Sequence, residues 1–137
     1  MSARQLVLLG CSVAIALYSP DALAQDHPVV IIETSLGTMT AELDRTKAPL
    51  SVENFLQYVE DDYYHGTVFH RVIKGFMIQG GGFTADMQPK PTRASITNEA
   101  TNGLRHDRGT LAMARNQDAV DSATSQFFIN VVDNTAL

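Results

Sequence analysis

The stretch from Phe69 to Thr84, FHRVIKGFMIQGGGFT, constrains the chain more than any other. Two short apolar runs flank Lys74 and Gly75, and three glycines follow at 80–82. The pattern reads as strand pieces around a turn. One residue resists that reading: Arg71 carries a permanent charge among side chains suited to a core. A guanidinium left buried and unpaired is strongly destabilising, so Arg71 needs either an acidic partner or a cleft open to water. The glycines lack the GK[ST] continuation of a phosphate loop, and close backbone packing accounts for them better.

The amino terminus is of a different kind. A short, positively charged start ends at Arg4, and an apolar run follows over residues 6–17. That run is shorter than the ~20 apolar residues of a membrane-spanning helix. Ala22-Leu23-Ala24 then supplies a small-x-small cleavage pattern before Gln25. Residues 1–24 are therefore expected to be a cleaved export signal and residues 25–137 a single small domain with no membrane segment. A buried amino-terminal helix or a retained anchor is the alternative. The only cysteine, Cys11, falls within the signal, so the domain has neither a disulfide nor a thiol nucleophile.

Along the domain, residues 29–34 (VVIIET) read as a β-branched strand, and 38–43 alternate as the second arm of a hairpin. Thr46 is placed to cap a helix and Pro49 suits its first turn. Val52, Phe55, Leu56 and Val59 then fall on one helical stripe. Glu60, Asp61 and Asp62 oppose the helix dipole and are expected to mark a fraying end. Further strands are expected at 67–73, 76–80, 110–114 and 125–132. Residues 84–108, rich in turn formers, predict a long surface loop with a short strand near 96–99. Many short strands around one helix point to a mainly β barrel or sandwich.

Several chemistries find no support. The net charge is −5, with scattered charges, which argues against a nucleic-acid partner. His27, His65, His70 and His106 show no metal-ligand spacing, so neither a metal nor a cofactor is expected.

FHRVIKGFMIQGGGFT resembles the central signature of the cyclophilins, the peptidyl-prolyl cis–trans isomerases. A second block agrees with it: GTLAMA at 109–114 and DSATSQFFIN at 121–130. The resemblance runs from about Val29 to Leu137, and the tract at 83–108 is most similar to bacterial exported members. It implies a cyclophilin-like antiparallel barrel with a packed helix, acting in the periplasm on X–Pro bonds of extended or unfolded polypeptides. It further implies that Arg71 is the catalytic donor and that Phe76, Met77 and Phe128 line a proline pocket. Gln79 and Gln126 stand beside that pocket, and the backbone of Ala114, Arg115 and Asn116 pairs with substrate. The family often carries Asn where Arg115 stands. His70, next to Arg71, is expected to point to the opposite face and to serve packing.

The resemblance changes near Leu137. Leu137 matches a pocket leucine, but Ala136 stands where the family has an aromatic residue, and a later histidine, the last strands and a helix have no counterpart. The domain is thus expected to be a carboxy-terminally incomplete member. The expected activity is prolyl isomerisation by a monomer that assists folding of exported proteins. The alternative is a weakly active or non-catalytic proline-peptide binding or chaperone module. Weak binding of cyclosporin-type cyclic peptides also follows from the resemblance.

Overall fold

A computed structural model describes residues 13–17 and 26–137. The expected cleavage site at Ala24 and most of the expected export signal lie outside these residues. The fold is mainly β, with two antiparallel sheets and a single α-helix among the described residues.

The first sheet has the order β1 (Ala14–Leu17), β2 (Val29–Thr34), β3 (Gly37–Glu42). β2 covers the span its β-branched sequence predicts. Its register places Thr34 opposite Gly37, so Ser35 and Leu36 form a two-residue turn, and Gly37 follows it at φ 140°. β1 is the unexpected member. It is the end of the apolar run read as an export signal, yet it pairs with β2 with Ile15 opposite Ile32 and Leu17 opposite Val30. Val13 and Ile15 are buried in the core.

Helix α1 spans Pro49–Glu60, and its predicted stripe is the face it buries: Val52, Phe55, Leu56 and Val59 are all enclosed. Its capping differs from expectation at both ends. Thr46 does not cap it, because its hydroxyl donates to Asp44 Oδ1. The amino-terminal donors go instead to Glu99, which accepts from the Leu50 and Ser51 N–H groups at 3.0 and 2.8 Å and from Ser51 Oγ at 2.7 Å. The carboxy-terminal end is not frayed. Asp62 takes a left-handed conformation at φ 54°, and the Tyr63 N–H reaches back to the Tyr58 carbonyl. That is the αL closure usually made by glycine. Arg93 pairs with Asp61 and offsets one of the acids there.

The second sheet has the order β4 (Arg71–Ile73), β5 (Met77–Gly80), β7 (Phe127–Asn130), β6 (Leu111–Met113). The strand expected over 67–73 is shorter than the sequence suggests, because Thr67 makes only isolated bridges to Val13 and Thr84. Near 96–99 there is one bridge, Ile96 to Ala123, rather than a strand. One apolar cluster joins the two sheets and the helix: Val30 and Ile32 from β2, Phe55 and Leu56 from α1, and Tyr64 and Phe127 between them. The three glycines behave as close-packing residues. A Cβ on Gly80 would sit 2.9 Å from the Phe69 ring, and one on Gly81 would meet the Phe127 and Tyr64 rings at the same distance.

Candidate active site

In an antiparallel ladder, residues directly opposite one another point to the same face. The second sheet places Arg71 opposite Gln79, Gln79 opposite Phe128, and Phe128 opposite Ala112. Four strands thus deliver one row of side chains across the sheet. The neighbouring row on that face holds Ile73, Met77 and Asn130. Phe127, Ile129, Leu111 and Met113 alternate to the other face, where Phe127 enters the core and the other three pack against it.

Arg71 is exposed, and among the described residues no acid pairs with it. Its Nη1 donates to Gln79 Oε1 at 3.1 Å. Gln79 Nε2 in turn donates to Gln126 Oε1 at 2.9 Å. The sequence offered a choice between an ion pair and an open cleft, and the geometry is that of the cleft. The guanidinium keeps its solvation and has one neutral partner to hold it.

Gln126 is set by two contacts. Its carbonyl accepts from the Ala114 N–H at 2.9 Å. Its side chain lies over Gly82, where a Cβ would come within 2.6 Å of Gln126 Cγ. Beside it, a polar depression of about 230 Å³ gathers Gln79, Ala114, Arg115, Asn116 and Gln126 with Ser122. Ser122 was not legible as a site residue. Its Oγ accepts from the Asn116 N–H at 2.8 Å and so shapes the 114–116 segment. With the Ala114 N–H also engaged, that segment has two of its donors committed within the chain.

Phe76 and Phe128, both half-buried, are the aromatic residues of the candidate pocket. Phe128 stacks on His106 with centroids 5.6 Å apart and planes 16° from parallel. The Phe76 carbonyl accepts from Asn134 Nδ2 at 3.0 Å. Met77 is only 2 % exposed, so it can meet a ligand only as the floor of a pocket. Leu137 is 58 % exposed and stands apart from the polar depression. It lines a second one, of about 370 Å³, with His106 and Asn134.

His70 packs against Phe83, with centroids 4.6 Å apart, and its Nδ1 is enclosed without a hydrogen-bond partner. Burial holds its pKa below the ordinary imidazole value; the nearby Val68 backbone opposes that shift, and the charge of Arg71 adds to it. A packing role fits this geometry. Among the described residues no group of His, Cys, Asp or Glu could hold a metal ion.

Residues 29–137 match the family model described as cyclophilin type peptidyl-prolyl cis-trans isomerase/CLD. The chain is 50 % identical over 137 residues to peptidyl-prolyl cis-trans isomerase A of Dickeya dadantii, covering all of this chain and 72 % of the relative. It is 56 % identical over 121 residues to a peptidyl-prolyl cis-trans isomerase of Acinetobacter baylyi, covering 88 % of this chain and 63 % of that one. The fold is also similar to a Cryptosporidium parvum cyclophilin type peptidyl-prolyl cis-trans isomerase whose crystal structure was solved in the presence of the dipeptide Ala-Pro. That likeness has a TM-score of 0.67 at 32 % identity and covers 80 % of this chain and 70 % of the other. The chain thus spans between 63 and 72 % of the length of these two bacterial relatives. Arg71, Gln79 and Phe128 share one sheet face with Gln126 bonded to Gln79, residues 29–137 match the family model, and the chain belongs to the cyclophilin-type peptidyl-prolyl cis–trans isomerases.

Proposed function

We propose that this chain accelerates cis–trans rotation about X–Pro bonds, with Arg71 as the donor that stabilises the twisted amide. The uncatalysed barrier is about 18–20 kcal/mol because planarity carries amide resonance. Twisting removes that resonance and returns lone-pair density to the prolyl nitrogen. A fixed cationic donor aimed there binds the twisted state more strongly than the planar one, so no covalent step or proton transfer is needed. The observation that carries this reading is the row Arg71–Gln79–Phe128: a solvent-open guanidinium, held by a neutral amide, in line with an aromatic wall for a proline ring.

The substrate class is an extended, proline-containing polypeptide. Phe76, Met77 and Phe128 suit the flat apolar ring, and Gln79, Gln126 and the 114–116 backbone suit the flanking peptide groups. The basic start, the apolar run and Ala22-Leu23-Ala24 support export and action on proteins folding in the periplasm. The reading includes work as a monomer and weak binding of cyclosporin-type cyclic peptides, since Ala136 offers no aromatic surface.

A protease-coupled isomerisation assay on a proline-containing peptide tests the activity. Arg71→Ala is expected to lower kcat/KM by about 100- to 1000-fold, the usual loss on removing one preorganised donor. Its circular dichroism should stay that of the parent chain. A well-folded parent chain that leaves the isomerisation rate at its spontaneous value would exclude catalysis and leave proline-peptide binding as the function.

A further inference from the structure

The two aromatic residues of the candidate pocket are joined by a polar network through Asn130, Asn134 and His106, of which only Asn130 belongs to the signature blocks. Asn134 Nδ2 donates both to the Phe76 carbonyl at 3.0 Å and to Asn130 Oδ1 at 2.6 Å. The Asn134 N–H donates to the His106 carbonyl at 2.8 Å. His106 in turn lies flat against Phe128. Asn134 therefore ties the backbone that carries Phe76 to the backbone that carries the ring stacked on Phe128.

We propose that Asn134 is a positioning residue that fixes the separation of Phe76 and Phe128, acting on Phe128 through His106. The proposal rests on the isomerase reading for its kinetic consequence, though not for its geometry. The hydrogen bonding leaves Asn134 a single orientation. A carbonyl can only accept, so the Phe76 oxygen requires the Nδ2 end of the amide. Asn130 must then present Oδ1 to Asn134, and its own Nδ2 turns to Thr110 Oγ1 at 2.9 Å. Asn130 is 1 % exposed, so its groups have no water to fall back on. A partly buried network that is satisfied in one arrangement around an enclosed Asn130 favours that arrangement. The Asn130 side chain lies in the row beside Phe128, opposite Met77, so the network also anchors the pocket floor.

Such a residue touches the proline ring in neither the planar nor the twisted state, so its loss should weaken both alike. That raises KM and leaves kcat nearly unchanged, the opposite of an Arg71 substitution. Asn134→Asp keeps the shape and replaces two donors by acceptors that face the Phe76 carbonyl and Asn130 Oδ1. It is expected to raise KM about tenfold with kcat within about twofold, where tenfold corresponds to about 1.4 kcal/mol. His106→Ala, which leaves Asn134 intact, is expected to raise KM in the same direction. Glu33→Gln, on the other sheet, is expected to match the parent chain.

An aromatic proton–carbon NMR spectrum reads the geometry without turnover. The His106 ring protons should show an upfield ring-current shift from Phe128 in the parent chain, and lose it in Asn134→Asp. A parent chain with no activity would sink the isomerase reading, and the His106 shift would still decide the clamp. An unchanged His106 resonance in Asn134→Asp overturns the proposal, as does an unchanged KM in an active His106→Ala. Should Asn134→Asp fail to fold, His106→Ala alone decides.

Discussion

Gln79 accepts a hydrogen bond from Arg71 Nη1 at 3.1 Å and passes one on to Gln126 at 2.9 Å. The direction of this relay is imposed by the arginine. A guanidinium has no acceptor, so it takes the Oε1 end of the amide and leaves Nε2 to donate. Gln79 thereby holds the side chain that would meet the prolyl nitrogen and the side chain that borders the polar depression. Gln79→Leu should release both, at about tenfold in kcat/KM, a scale set by one hydrogen bond to a charged group. Gln79→Glu keeps an acceptor for Arg71 but loses the donor to Gln126, so it should retain more activity than Gln79→Leu. If Gln79 acts through Arg71, the double variant Arg71→Ala/Gln79→Leu should be no slower than Arg71→Ala alone. Strict additivity in that cycle would show that the relay does not matter.

Glu99 governs a helix from 49 residues away in sequence. Its carboxylate accepts from the Leu50 and Ser51 N–H groups, at 3.0 and 2.8 Å, and Ala48, at the cap position, has no side chain able to do so. A carboxylate at that end also meets the positive pole of the helix. Glu99→Ala should lower stability by about 1–2 kcal/mol, the upper range for a lost cap. Urea denaturation would register this as a lower midpoint at unchanged slope. Thr46→Ala is the control: its hydroxyl bonds Asp44, so its loss should move the midpoint much less.

The contrast between Thr46 and Glu99 shows where legibility in sequence ends. Periodicity is local, so β2, the hairpin and the buried stripe of α1 could be read from residues 29–60. A cap supplied by a residue in a distant loop has no local signature, and neither does a serine such as Ser122 that bonds the backbone six residues before it. Arg71 was legible as an anomaly, because a charge in an apolar strand demands an explanation. Its surroundings were legible only through resemblance, since Gln79, Gln126 and Phe128 become neighbours through strand pairing that spacing does not encode. His106 and Asn134 were missed for the same reason: each is an ordinary loop residue until the fold sets it behind an aromatic wall. The apolar run over residues 6–17 suits both a signal sequence and a buried strand, and no local pattern shows that its end pairs with β2.

His70 links stability to pH. Its folded-state pKa is lowered from 6.5 chiefly by burial, so the fold favours the neutral ring. Between the lowered value and 6.5 the unfolded chain binds more protons than the folded one, and stability then rises with pH. The contribution of the neutral ring is complete above 6.5 and is lost as pH falls through the folded value. His70→Phe keeps a ring against Phe83 and cannot titrate. Denaturation midpoints measured across mildly acidic pH should fall less steeply in His70→Phe than in the parent chain. Equal slopes would mean that His70 is not held neutral by the fold.

The pairing of β1 with β2 carries a stability prediction of its own. Ile15 is 5 % exposed and lies opposite Ile32, which is 1 % exposed, while Ala16 faces outward. The Val13 N–H also donates to the Thr67 carbonyl at 3.0 Å, fixing the start of the strand. In the full chain, Ile15→Ala should therefore cost about 2–5 kcal/mol, as burial of a branched side chain against a packed core implies. Ala16→Ser, on the outward side of the same strand, should stay within about 0.5 kcal/mol of the parent chain. Cleavage after Ala24, which the proposed export would bring about, removes β1: it leaves β2 as a sheet edge with unpaired backbone groups and uncovers Val30 and Ile32, so the processed chain should be less stable than the full one. Hydrogen exchange gives the most direct reading: every second amide of residues 30–33, the ones that point toward β1, should be protected in the full chain and open in one that starts at Gln25, while those that point toward β3 stay protected. Equal protection in the two chains, together with an unaltered midpoint for Ile15→Ala, would mean that β1 adds nothing to the folded state.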